Sequence, residues 1–203
     1  GGTRLLARAP GELGTHLALT GGTMTGADAI ALDLADWYVP SVALPALLDD
    51  LERMPAADAI ARHASAVPAS DLLTQHAWVD EAYAGDESVV IVERLQNSGV
   101  AEARAAASVI RGKSPTSVAV ALEALRRAVR LDTLEEVLDQ EYRVGLRMLA
   151  GADMREGIRA QVIDKDRTPH WRPPTLEQVD RAAVLRYFEP LGERELGLAT
   201  RPA

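Results

Sequence analysis

The sequence predicts a mostly α-helical fold, and three observations carry that expectation. Alanine and leucine dominate the apolar share, whereas aromatic residues make up only 4%. Alanine loses no side-chain entropy in a helix and lets neighbouring helices pack closely. Helix-start patterns recur at Thr25-Gly-Ala-Asp28, Asp132-Thr-Leu-Glu135, Asp153-Met-Arg-Glu156 and Thr175-Leu-Glu-Gln178. From Ser114 onward, apolar residues return every three or four positions.

Taken in order, Leu13, Leu17 and Leu19 make a short helical pattern that Gly21-Gly22 stops. In the first capping box, the Thr25 hydroxyl meets an orphan helix N–H and Asp28 reaches back to the cap. The helix that follows runs to about Ala35. Trp37-Tyr38-Val39 reads as a short strand or extended segment closed by Pro40. Short helices follow over about 45–54 and 57–63. Residues 64–87 mix Ser, Pro, Gly and Asp and read as loop, with one short helix around 72–77. Val89-Val-Ile-Val92 looks at first like a strand. Ile91, Val92 and Leu95 repeat at helical spacing, however, and Asp86 or Ser88 can cap, so a helix is expected.

Ala101–Ile110 is another helix. Pro115 then sits in a first turn, where no N–H bond is needed. The stripe of that helix is Val118, Ala121, Leu122, Leu125 and Ala128. Asp132 is expected to cap a helix of some 18 residues, with Leu134, Leu138, Tyr142, Leu146 and Leu149 on one broad face and Gly151 at its end. The third box precedes Ile158 and Val162, and the last helix holds Val184, Leu185, Tyr187 and Phe188.

Composition removes several function classes. With 203 residues, 47% apolar and 26% charged, the chain can bury a core. Its 22 basic and 30 acidic residues give a formal charge of −8, which disfavours nucleic acid as a partner. No cysteine is present, so disulfides, thiolate catalysis and Cys-ligated metals are out. No apolar run is long enough for a membrane span, and no signal peptide is visible; a cytoplasmic location is the expectation. Only Lys113 and Lys165 are lysines among the basic residues.

Local catalytic motifs are scarce. His16, His63, His76 and His170 lie far apart and form no zinc-binding pair, so no metal is expected. The Gly pairs match no phosphate-binding fingerprint, and no nucleophile elbow exists. The adjacent acids Glu135 and Glu136, Asp139 and Glu141, and Asp164 and Asp166 read as solvated helix charge. The sharpest segment runs from Ile163 to Pro174. Trp171 with Lys165 and Arg167 would suit a base and its phosphates. Its plainer reading is a clamp in which Asp164 and Asp166 pair with Lys165 and Arg167 while the prolines stiffen the path.

That segment carries a resemblance. Glu156-Gly-Ile-Arg-Ala-Gln-Val-Ile-Asp-Lys-Asp-Arg-Thr-Pro-His-Trp171 resembles the C-terminal signature of 3-hydroxyisobutyryl-CoA hydrolases, in the enoyl-CoA hydratase/isomerase (crotonase) superfamily. Ser114-Pro-Thr-Ser117, Glu141-Tyr-Arg143, Leu17–Ala29 and Asp36-Trp-Tyr-Val-Pro40 fit the same family in the same order. Asp33 stands where many relatives have Gly, at a helix end. The resemblance implies the C-terminal helical part of a crotonase-type α/β superhelix (ClpP/crotonase-like). It divides the chain into the end of the core at 1–40, a helical connecting region at 41–113, and a C-terminal helical region at 114–203. It also implies hydrolysis of 3-hydroxyisobutyryl-CoA in valine breakdown, with coenzyme A as part of the substrate and no further cofactor.

The family's catalytic Glu and Asp, and its oxyanion-hole segments, fall ahead of the stretch matched by Gly1-Gly2-Thr3. No residue here is therefore expected to be catalytic, and the N-terminal half of the same protein is the expected partner, as a separate chain or a linked segment. Gly1, Gly2 and Arg4 are candidates for framing the region beside the missing acid. Lys165, Arg167 and Trp171 are candidates near the CoA entrance. A homo-oligomer is expected. Two other readings stand beside the hydrolase: an enoyl-CoA hydratase or isomerase, and a noncatalytic crotonase-like helical partner.

Overall fold

A computed structural model describes residues 1–200. Among them the regular elements are helices and helical turns, with no strand. Packing divides the chain into two units, residues 1–22 with 77–203, and residues 23–76.

In the larger unit, α1 (Gly2–Ala7) and α2 (Leu13–Thr20) pack as a pair. Gly14 makes that possible, because a Cβ there would collide with the Leu6 carbonyl. Gly21 ends α2 in the left-handed region, φ 63°, and donates its N–H to the Leu17 carbonyl at 2.9 Å. Then come α7 (His76–Tyr83), α8 (Ser88–Asn97) and α9 (Ala101–Arg111). The Val89–Val92 run is helical, and Ile91, Val92 and Leu95 are its buried face. α7 lies inside the stretch expected to be loop. Its inward residues Val79, Ala82 and Tyr83 are fixed by tertiary packing, not by a strong local period.

The long antiparallel pair is α10 (Pro115–Ala128) and α11 (Leu134–Ala150). Ser114 caps α10 through the Ser117 N–H, with Pro115 at the first position as expected. The cap of α11 is shifted by one from the expected Asp132–Glu135 pair. Thr133 and Glu136 form the box, and the Asp132 N–H also donates to Glu136. α12 (Ala152–Ile158) has no side-chain cap, because Asp153 is used in tertiary bonds instead; a π-turn over Arg159–Ile163 extends it. Thr175 starts only a 3-10 turn, Leu176–Gln178, and Asp180 caps α13 (Arg181–Arg186). Val120, Ala124, Val184 and Phe188 form one core cluster, flanked by Val144 and Met148 of α11.

The expected apolar face of α11 is only partly buried. Its packed side carries Val137 and Gln140, with Val144 and Met148 against the core cluster. On the predicted stripe, Leu134, Tyr142 and Leu149 keep 45%, 37% and 61% of their surface exposed. α11 is thus apolar on two sides, and the predicted stripe is only partly covered among the described residues, with Leu138 and Leu146 half-buried. Periodicity reveals that a face is apolar but not what packs on it.

The smaller unit holds α3 (Gly26–Ala31), α4 (Leu44–Leu51), α5 (Ala56–His63) and α6 (Asp71–Thr74). The Thr25–Asp28 capping box forms as expected. Asp28 does more than cap: its carboxylate also accepts from the Ser70 hydroxyl at 2.6 Å and the Leu72 N–H at 3.3 Å, tying α6 to α3. Asp33 takes φ 56°, so it occupies the conformation glycine would fill, which Asp tolerates better than most residues. Trp37–Val39 is irregular, its one cross-chain bond running from the Ser65 N–H to the Tyr38 carbonyl at 3.0 Å.

Candidate functional site

The sequence singles out the segment after α12, and the structure gives it a rigid frame. Arg159 is the hub. Its guanidinium meets Glu156 at 2.8 Å, Asp164 at 2.7 Å and Asp166 at 2.6 Å, and donates to the Thr168 carbonyl at 3.2 Å. The other Glu156 contact is the His170 N–H at 2.7 Å. The Arg159 guanidinium and that N–H hold the Glu156 carboxyl at about 2, well below its usual range. Arg159, with the Thr168 N–H, holds Asp166 at about 2 as well.

The clamp is therefore real, but its cation is Arg159, not Lys165 or Arg167. The i, i+3 spacing of Glu156 and Arg159 is the sequence signal that points to it. Lys165 and Arg167 both stand at φ 57°, and their side chains have no partner among the described residues. The Arg167 N–H bonds the Ala160 carbonyl at 3.1 Å, which pins the turn while leaving both cations in solvent.

Trp171 is half-buried. Its indole N–H donates to the Gly112 carbonyl at 3.2 Å. Its ring lies over α12 at Gly157, where an added Cβ would stand 3.4 Å from the indole. Ser114 and Asp153 lock the surroundings: the Ser114 hydroxyl donates to Asp153 at 2.5 Å, and Asp153 accepts the Arg172 N–H at 3.0 Å. Beside Trp171 opens a cavity of about 620 Å³, lined by Met148, Met154, Ile158 and Val162, with Lys113 at its edge. Such a volume suits a small molecule or an apolar side-chain cluster. Two methionines give its walls adaptable shape. Periodicity alone did not bring Met148 or Ser114 to this place; the α10–α11–α12 packing did.

Gly1, Gly2 and Arg4 lie elsewhere. The Thr3 N–H and hydroxyl donate to Glu141 at 2.9 and 2.6 Å, and Arg4 donates to the Asp132 carbonyl at 3.1 Å. This anchors α1 along the first half of α11, from Asp132 just before it to Glu141 at its middle. From Glu141 to Met148 the helix rises about 10 Å, so the two groups of candidates meet different stretches of α11.

Comparison with known proteins places this geometry. Residues 1–188 match the family model described as enoyl-CoA hydratase/isomerase. A crystal structure of a carnitinyl-CoA dehydratase from Mycobacterium thermoresistibile superposes with a TM-score of 0.92 at 43% identity, over 99% of this chain and 58% of that one. An enoyl-CoA hydratase from Rhodobacter sphaeroides gives a TM-score of 0.86 at 38% identity, over 97% of this chain and 57% of that one. Rat mitochondrial 3-hydroxyisobutyryl-CoA hydrolase is 34% identical over 97% of this chain and 54% of its own length. The small ribosomal subunit protein mS47 of Arabidopsis thaliana is 32% identical over 95% of this chain and 51% of its own. The chain spans about half the length of the curated relatives it matches. Among the described residues, no helix is long and apolar enough to cross a membrane.

Proposed function

Because the chain belongs to the enoyl-CoA hydratase/isomerase family, we propose that it forms the C-terminal helical part of an acyl-CoA thioester hydrolase acting on 3-hydroxyisobutyryl-CoA. The observation that carries this reading is 34% identity to a 3-hydroxyisobutyryl-CoA hydrolase over 97% of the chain, signature segment included. The reaction adds water to the thioester carbon and breaks the C–S bond, releasing 3-hydroxyisobutyrate and free CoA thiol. In this reading the acids that activate water, and the backbone donors that hold the developing oxyanion, belong to the part of the relatives' length that this chain does not span.

The residues present here bind and enclose. In this reading the uncovered α11 stripe of Leu134, Tyr142 and Leu149 receives the companion half. Gly1, Gly2 and Arg4, held on α11, frame the path toward the missing acid. In the same reading Lys165 and Arg167, beside the Arg159 clamp, meet CoA phosphates; their exposed side chains support it, and Trp171 walls the apolar cavity.

Two alternatives have support of their own. The solved structures at 43% and 38% identity are named as a dehydratase and a hydratase, which favours addition or removal of water across a C–C bond on the same fold. The relative named as a ribosomal protein favours a noncatalytic member. One assay separates all three. The full polypeptide is offered 3-hydroxyisobutyryl-CoA and an enoyl-CoA, while free thiol and loss of the conjugated thioester are followed. Thiol release supports hydrolysis, enoyl loss without thiol supports hydration, and neither supports the noncatalytic reading.

A further inference from the structure

We infer that a second cavity, at the far end of α10 from Trp171, binds a small anion bearing two linked phosphates. This cavity has a volume of about 680 Å³ and is lined by five arginines, Arg126, Arg127, Arg130, Arg143 and Arg181, and by four carboxylates. Leu131 is its single large apolar lining residue, so it is no acyl pocket. The ten residues from Ser117 to Arg127 separate it from the Trp171 cavity by about 15 Å along α10.

The charges nearly balance, so the case rests on which hydrogen-bonding capacity is already used. Glu136 accepts the Asp132 and Thr133 N–H groups at 3.0 and 2.9 Å. Asp139 accepts those of Leu198 and Ala199 at 2.9 and 3.1 Å. Glu123 is shared by Arg127 and Arg181, each at 2.5 Å. Asp86 and Glu12 both meet Arg126, whose remaining N–H groups bond the Tyr83 and Gly85 carbonyls. The carboxylates are committed to the protein itself.

Four of the five guanidinium groups keep free donors, although that of Arg127 also lies over the Phe188 ring, 4.4 Å from its centroid. Arg127 uses only its Nε on Glu123, and Arg143 only its Nε on Glu195. Their terminal nitrogens have no partner among the described residues. Arg181 spends one terminal nitrogen, and the Arg130 guanidinium has no partner among the described residues. The spare donors are planar forks on α10, on the turn after it, on α11 and on α13. Each fork fits an oxyanion with two parallel bonds. Forks on separate elements, in a space larger than one oxyanion fills, match linked phosphates better than a single phosphate or carboxylate. Glu123 and Glu195 hold two of these forks in place before binding, which lowers the ordering cost.

The test is calorimetric titration of the full protein at low salt with inorganic pyrophosphate, and separately with ADP. Sodium chloride at matched ionic strength is the control. One-to-one binding of pyrophosphate is expected, weakening about tenfold in Arg130→Ala and in Arg181→Ala, in line with loss of a charge-assisted bond. Arg130 makes no side-chain bond within the described residues, so Arg130→Ala should melt with the parent protein. ADP binding more tightly than pyrophosphate assigns the site to a nucleotide; pyrophosphate binding alone assigns it to the free diphosphate. Absence of binding at millimolar ligand, or binding unchanged in both variants, overturns the proposal. The thioester assay reads thiol release and this titration reads heat of anion binding, so failure of one is distinguishable from failure of the other.

Discussion

If the proposed companion half packs on the outer stripe of α11, Leu149→Ala should weaken that association about 5–30-fold and leave the isolated chain as stable as before. Leu149 lies on the outer stripe of α11 and keeps 61% of its surface exposed. Burying a whole leucine side chain is worth about 1.5–3 kcal/mol. The part still open is thus worth about 1–2 kcal/mol if a partner covers it, and 1.4 kcal/mol is about a tenfold change in affinity. The assay is titration of residues 1–203 with the upstream half, alongside thermal melts of the isolated chain. Exposed sites change stability by only about 0.5 kcal/mol, so the melt should move less than about 2 °C. Val137→Ala, on the buried side of the same helix, is the control. It should cost the isolated chain about 2 kcal/mol, or roughly 4–8 °C. A several-degree drop for Leu149→Ala in the isolated chain, or an unchanged affinity, would refute the two-faced description of α11.

Further expectations follow from named contacts. Gly14→Ala places a Cβ on the Leu6 carbonyl; a loss of about 1–3 kcal/mol should appear as a lower midpoint in urea. Asp28→Ala leaves the Ser70 hydroxyl and the Thr25 and Leu72 N–H groups without their acceptor. About 1–3 kcal/mol should be lost, and Asp28→Asn should lose less. Glu156 and Asp166 titrate near 2 in the folded protein, against about 4.3 and 3.9 in an unfolded chain. A depressed carboxyl stabilises fully above the unfolded value, and that contribution disappears as pH falls through the folded one. Trp171 fluorescence should therefore hold steady down to about pH 4 and change between about pH 4 and 2. In Arg159→Met the change should begin at higher pH, and an unaltered curve would argue against Arg159 as the hub.

Short-range chemistry was the most legible part of the sequence. Thr25 with Asp28, Pro115 after Ser114, and Gly21 as a stop all act through neighbours within a few residues, so pattern and structure agree. The errors lie where a distant partner competes for the same group. Asp153 has the spacing of a cap residue, but Ser114 and the Arg172 N–H claim its carboxylate. Thr133 takes the α11 cap that Asp132 was expected to hold, while the Asp132 carbonyl serves Arg4. Lys165 and Arg167 looked like the partners of Asp164 and Asp166, yet Arg159, one turn back, reaches both acids. In α11 the period was read correctly and its burial was not: Leu134, Tyr142 and Leu149 stay exposed among the described residues. The signature ending at Trp171 was read as lying near a CoA entrance, and the apolar cavity beside it was not foreseen; the arginine cavity had no motif, since its members come from three helices and the loops around them.

The most direct test compares thiol release from 3-hydroxyisobutyryl-CoA by residues 1–203 alone with release by the same chain joined to its upstream half. Turnover only in the joined protein is the expected result. Turnover by the 203 residues alone, verified by intact mass to carry no second fragment, would contradict it.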